Sequence, residues 1–418
     1  MGWWETFKDT FKQLPYLALI KAHRLFLYPA IFILAVALVV VLISLTSTKS
    51  TKVDEYTKSR EEIIAFNQAC GGRLRYSAWI DDSTVYTEKN SFHIHLKEIS
   101  LNDLPKTVPF PMYVSSLHIY GGSAPSTPTE TTELANKLAR VLEAFRHCYI
   151  KHLELRNFDI EFAPAPATPR IRRQTPGAIT FYETSSSFIS WFGESVQLLC
   201  PNRKLALNLM YSANIKSLEC LDSLGIAGPI KTLLVMDLPN LESLGCRVLN
   251  NTGVAHKIYL FNLSSKVEVP ASLARNIESQ ARNIQIGFDI YTKLTMHKGF
   301  CLNSPYLSLV LETYEELCSH PNPEDLGTRN PYVTHIYVSQ PDAPQETTKE
   351  VVTQIVEWVA TRFSDVGYVT IRSNTLNLPG LQSFIDQAVF YKERLPIAKI
   401  IIKQLQPYTI DSLTTFDV

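Results

Sequence analysis

Apolar and polar positions alternate over short stretches of this chain, and the same stretch returns about every 26 residues. It reads apolar-x-x-apolar-x-apolar. Clear copies run through Val114/Leu117/Ile119, Ile150/Leu153/Leu155, Ile230/Leu233/Val235 and Val333/Ile336/Val338. Weaker copies lack the first apolar residue, as at Ile94/Leu96, Ile179/Phe181, Leu205/Leu207 and Leu307/Leu309. Alternation over a few residues predicts a half-buried strand, and the segment between copies is a turn with a helical or irregular return. Two returns have helical periodicity: residues 133–148, with Leu134, Leu138, Val141, Leu142 and Phe145 on one side, and residues 349–363, with Val352, Ile355, Val356 and Val359. A fixed period of this size means stacked units, none able to bury its apolar face alone. The expected fold is therefore an α/β solenoid with one parallel sheet of about 11–12 short strands. The competing architecture is an ordinary α/β domain, whose crossovers vary more in length.

The pattern resembles that of leucine-rich repeats, most closely in residues 230–244 and 366–374, and the resemblance spans residues 91–405. The family places an asparagine five residues after the middle apolar residue, where its amide bonds neighbouring backbones. Only Asn374 matches; the other positions fall on residues such as Phe158, Met210, Leu238 and Leu263. The resemblance implies a divergent array whose turns satisfy their backbone groups in other ways.

The stretch from Leu25 to Leu45 is almost wholly apolar and uncharged, long enough to cross a hydrocarbon layer of about 30 Å. An uncleaved transmembrane helix over 25–46 is expected; a cleaved signal peptide would be shorter and end in small residues. The expected organisation is an interfacial arm with an aromatic face (1–24), the membrane span (25–46), a juxtamembrane helix or linker (47–69), an N-terminal cap (70–90), the repeat array (91–405) and a tail (406–418). Within the array, residues 163–176 are Pro-rich and read as an exposed, extended loop. Their Arg170-Ile171-Arg172-Arg173 run resembles a site cut by proprotein convertases, with a solvated basic loop as the plain alternative. Lys and Arg are balanced across the span. The short N-terminal arm favours repeats on the lumenal or extracellular side of a single-pass membrane protein.

Charge and cysteines narrow the function. The chain has 40 basic and 40 acidic residues, so no net field favours nucleic acid as a partner. The sequence has no Cys-x-x-Cys, phosphate-binding loop or nucleophile elbow, and no catalytic, cofactor or metal-ligand residue is nominated. Cys220 and Cys246 stand one repeat apart, as a disulfide or as two buried thiols. Asn250 and Asn262 head N-glycosylation sequons.

Outward strand positions nominate a surface. Leu234, Met236, Tyr259 and Phe261 are expected to form an apolar-aromatic patch, extended by Tyr337 and Tyr368. A segment of the chain covering that patch is the alternative to a protein partner. His95 and His118 fall in one column, with His93 and His152 nearby, a set that reads as polar surface unless it holds a metal or switches binding near about pH 6. The reading is a membrane-anchored protein-recognition module without a cofactor, inserted in the bilayer through residues 25–45. A self-associating structural or adhesion protein and a membrane-bound α/β enzyme are the alternatives.

Overall fold

Each alternating segment forms a strand, and the strands line up in the order in which the chain makes them. The computed structural model describes residues 75–77, 91–103, 113–122, 127–163, 171–174, 177–199, 205–226, 229–249, 254–280, 282–297, 300–313, 316–317, 329–340, 349–373 and 397–404. The arm, the expected span, the juxtamembrane segment, the tail, Asn374 and Asn250 lie outside the described residues. No helix among those described is long and apolar enough to cross a membrane.

The strands are β1 (Arg75–Ser77), β2 (Ser91–His95), β3 (Tyr113–Tyr120), β4 (Tyr149–Phe158), β5 (Ile171–Gln174), β6 (Ala178–Thr184), β7 (Val196–Leu199) and β8 (Ala206–Met210). They continue with β9 (Ile230–Leu238), β10 (Val254–Leu263), β11 (Asn283–Gly287), β12 (Tyr306–Val310), β13 (His335–Gln340), β14 (Val366–Ser373) and β15 (Ile397–Gln404). All but β5 and β7 belong to one 13-stranded sheet in chain order. The β2–β3 pair, and every pair after it, is parallel. A doubly wound sheet would reverse its order midway; this one does not, and the fold is α/β and solenoid-like. Leu233, Ile258 and Ile284 are consecutive partners, as the repeat spacing requires. The exception is β1, which lies within the expected cap and pairs antiparallel with β2.

One core column runs through Phe92, Leu117, Leu153, Ile179, Leu207 and Leu233, and on through Ile258, Ile284, Leu307, Ile336 and Val369. None of these is more than 2% exposed, so each repeat buries its apolar row on its neighbours. The ladder corrects the register at two weak copies. Phe92 stands in the column where Ile94 was expected, and Leu207 where Leu205 was expected. A shift of two residues keeps every side chain on its face, so the inside-outside reading survives while the columns move.

The returns fill the far side. Helix α1 (Pro128–Ala144) starts earlier than its apolar periodicity implies, because Thr127 accepts from the Glu130 N–H and Pro128 opens the first turn. Leu134, Leu138, Val141 and Leu142 are its buried stripe. Helix α2 (Ser186–Ser195) is capped by Ser185, whose hydroxyl accepts from the Phe188 N–H at 3.1 Å. Its Phe188 stacks on Phe158 at 4.2 Å. A Cβ on Gly193 would lie 2.4 Å from the Ser223 carbonyl carbon, so glycine lets α2 close onto the next return, the 3-10 segment Leu218–Leu224. Helices α3 (Ala271–Gln280), α4 (Phe288–Thr295) and α5 (Lys349–Arg362) follow. In the middle repeats a second ladder links Ser217, Ser243 and Glu268.

The 163–176 loop contains structure that its composition hides. Strand β5 pairs in parallel with β7 in a separate two-stranded sheet. The edge of β7 supplies hydrogen-bond partners that an isolated linker lacks.

Candidate recognition face

Opposite the core, each strand of the array presents outward positions that stack into three columns along the ladder. The strand period of two places them there, and the parallel register brings residues about 4.8 Å from their counterparts.

The first strands carry a polar cluster. His93 pairs with His118, and the rings stack at 4.4 Å with 4° between planes. The column expected to join His95 to His118 therefore joins His93 to His118 instead, because the first repeat is registered on Phe92. His95 pairs with Tyr120 and stacks on it at 4.4 Å. Glu154, next in the His118 column, is only 4% exposed although it faces away from the core. Its carboxylate forms an ion pair with Arg156 and lies 3.1 Å from His118 Nδ1. Arg156 answers the carboxylate charge, while burial and the Arg156 charge bring the His118 pKa down to about 4. His118 is thus neutral at pH 7.

His152 is lowered to about 4 as well, by burial first and then by His118, Arg156 and Lys151. Its Nε2 is 2.9 Å from Thr180 Oγ1, which accepts from Asn208 Nδ2 at 2.9 Å. One hydrogen-bonded line thus crosses β4, β6 and β8. The Arg156 guanidinium lies 4.5 Å over the Tyr182 ring, and Tyr182 packs on Tyr211 at 4.9 Å.

The middle strands are apolar. Leu234 pairs with Tyr259, and Met236 with Phe261, as the spacing predicts. Leu234, Tyr259 and Phe261 are half-buried. Met236, expected in the binding patch, is only 4% exposed, flanked in its column by Met210 and Phe261. It is packing beneath the patch, since a flexible thioether fills the gap between larger neighbours.

Toward the far end Tyr306, His335 and Tyr368 stack in succession, with centroids 4.8 Å apart at each step. Tyr368 is 42% exposed. Tyr337 is half-buried beneath the Arg372 guanidinium, 5.5 Å from its ring. Tyr337 and Tyr368 sit in different columns, diagonal to each other rather than paired.

A ridge that the sequence reading missed bounds this face. Asn157, Glu183, Tyr211, Asp237 and Asn262 have φ between 51° and 59°, the left-handed region. Each directly follows a residue of one outward column (Arg156, Tyr182, Met210, Met236, Phe261), so five successive repeats turn at the same place. The available signal was Asn and Asp at three of the five, four residues after the core-column residues Leu153, Leu233 and Ile258 rather than five. The next position buries Ser212 where the shifted register had placed Met210. The Ser212 hydroxyl donates to the Met210 carbonyl and accepts from the Thr184 N–H of the preceding repeat. Elsewhere the backbone satisfies itself, as in Ser185 N–H to Phe158 O and Ser264 N–H to Leu238 O.

Cys220 and Cys246 are separate buried thiols in this structure, not the disulfide weighed from their spacing. Burial pushes both up to about 12, and Cys220 Sγ donates to the Ser217 carbonyl. The turn that sets Cys220 thus directs its thiol at its own backbone. Asn262 is exposed on the ridge. The described residues contain no group of three or more His, Cys, Asp or Glu placed to hold a metal.

Compared with known proteins, the chain matches no family model. No curated protein and no solved structure matches it either.

Proposed function

We propose that this chain is a membrane-anchored recognition protein: a divergent leucine-rich-repeat-like array that binds a protein partner on the outward face of its sheet. The supporting observation is the placement of Leu234, Tyr259 and Phe261 on adjacent strands, half-buried on the face away from the core, with Tyr368 more exposed further along. Aromatic anchors amid hydrogen-bonding side chains are the composition that dominates binding energy in protein interfaces. Residues 25–45 hold the array at the bilayer, on the lumenal or extracellular side. The protein binds; it does not catalyse.

A photo-crosslinking amino acid placed at Tyr259 tests the reading in cells, with one at Met296, which is 66% exposed on the far side of the sheet, as the reference. A distinct protein adduct from position 259 and none from 296 is expected. Equal adducts at both positions defeat the reading. An adduct between two copies of the chain replaces it with self-assembly. Endoglycosidase sensitivity abolished by Asn250→Gln and Asn262→Gln together is expected on the lumenal side, and protease accessibility of the array from the cytosol would reverse the orientation.

A further inference from the structure

The chain is electrically balanced, but the two ends of its middle strands are not. Residues 200–207, 225–232, 250–257, 281–284 and 296–307 lead into β8 through β12. They hold no Asp or Glu, and they carry Arg203, Lys204, Lys231, Lys257, Arg282 and Lys298. Carboxylates stand instead where strands leave, as Asp237 does on the ridge, Asp289 just beyond β11 and Glu312 just beyond β12.

At the centre of this basic rim the ladder is irregular. Val254 pairs with Ile230 and Lys257 with Thr232, so β10 sets two residues, Ala255 and His256, against the single Lys231. Such a bulge re-aims side chains at the margin of a sheet. Lys257 in turn pairs with Asn283, and the Arg282 N–H donates to the His256 carbonyl at 3.1 Å. Lys231, His256 and Arg282 therefore stand abreast on three neighbouring strands, about 10 Å from first to last at about 4.8 Å per strand. Lys231 and Arg282 are exposed, and His256 is half-buried. Among the described residues, neither Lys231 nor Arg282 has a carboxylate partner. Burial, and then the charges of Lys257, Lys231 and Arg282, holds the His256 pKa below its ordinary value, with no carboxylate acting against them.

We propose that this rim is a binding site for a phosphoryl group, held between Lys231 and Arg282 with His256 as the donor in the middle. Cations gathered without a counter-charge repel one another, and an oxyanion accepting from all three groups removes that cost. The arginine fork matches two phosphate oxygens, and the lysine ammonium supplies a point charge. A phosphate monoester carries nearly two negative charges at neutral pH, enough to answer both fixed cations. A row of about 10 Å seats one phosphoryl group or two linked ones, and is shorter than the track of contacts along a nucleic-acid backbone. The site shares no residue with the aromatic patch, so either can fail without the other.

The test places the full-length chain in phosphatidylcholine nanodiscs and follows acylation of His256 by diethyl pyrocarbonate, read by peptide mass mapping. His147, exposed on an earlier repeat, is the reference. Inorganic pyrophosphate is the soluble probe, with chloride at matched ionic strength as its blank. Discs containing phosphatidic acid offer the same chemistry as a lipid headgroup. Protection of His256 but not of His147 is expected. Protection by pyrophosphate in plain discs assigns a soluble ligand, and protection confined to phosphatidic acid discs assigns a headgroup. Lys231→Gln and Arg282→Gln should each weaken the protection about tenfold. Unchanged thermal melting is the control for folding in both. Protection by neither probe, equal protection by chloride, or protection that survives the Lys231→Gln, Arg282→Gln double variant overturns the site.

Discussion

Asn262 donates its side-chain amide to Asp237 across 2.9 Å, and both residues occupy the left-handed backbone region on neighbouring strands. On its other side Asp237 takes a hydrogen bond from Tyr211, which adds to the burial that raises the Tyr211 pKa. The ridge thus uses amides and carboxylates to join one turn to the next. Asn and Asp tolerate this conformation; other residues with a Cβ are destabilised by about 1–2 kcal/mol.

That difference gives opposite expectations at two positions of one ridge. Glu183, exposed and left-handed, should gain about 0.5–1 kcal/mol on substitution by Asn, whereas Asn262→Ala should lose about 1–2 kcal/mol through conformation and the Asp237 bond together. Melting midpoints of the two variants in the same detergent decide it, and a shift of like sign in both would contradict the account.

Stability should fall on mild acidification. His118 and His152 titrate at about 4 when folded, below the 6.5 of an exposed imidazole. Between those values the unfolded chain binds protons that the folded chain refuses. The contribution is therefore complete above about pH 6.5 and is lost as pH falls toward 4, by on the order of 2–3 kcal/mol per histidine. A His118→Asn, His152→Gln double variant should show a flatter midpoint-against-pH curve between pH 7 and 5.

Glu154 neutralises Arg156 in a setting with little water. Glu154→Gln leaves the guanidinium opposite an amide and should destabilise by about 1–3 kcal/mol, less than for a deeply buried pair because the Arg156 side chain is 32% exposed. Glu154→Gln combined with Arg156→Met should recover most of that loss in denaturant titration.

Buried thiols with their pKa pushed to about 12 are poor nucleophiles at neutral pH. Cys220 and Cys246 should resist iodoacetamide in the native protein and react fully in denaturant without prior reduction. Peptide mass mapping reads both states, and a linked Cys220–Cys246 peptide would refute it.

Gly193→Ala should destabilise by about 2–3 kcal/mol, because the new methyl group meets the Ser223 backbone, which has no rotamer with which to retreat. Calorimetry against a Gly225→Ala control separates overpacking from lost backbone freedom: Gly225 is left-handed with open space around its Cβ position, so strain alone operates there.

The strands, their facing and their order were legible because two periods, two residues and about 26, are both written in the sequence. Columns were less secure. At Leu205/Leu207 and Ile94/Leu96 three apolar residues alternate without a leading one, and nothing local tells which pair begins the repeat; the structure uses Leu207/Leu209 and Phe92/Ile94. The face survived the slip, and the His95–His118 column did not. Burial of Glu154 and Met236 was not legible, because it depends on the size of side chains contributed by other strands. The ridge was half legible: Asn157, Asp237 and Asn262 announce a left-handed turn, but Glu183 and Tyr211 are carried into it by the repeats on either side.

Because neighbours in the sheet are neighbours in the chain, lengthening one return leaves the hydrogen-bond register of every other repeat untouched. The long stretch that holds α1 separates β3 from β4 without disturbing the pairing of Leu117 with Leu153. Selection can therefore rebuild the loops on one side singly while the strands across from them keep their alignment, so this architecture suits a protein whose periphery must diversify faster than its scaffold.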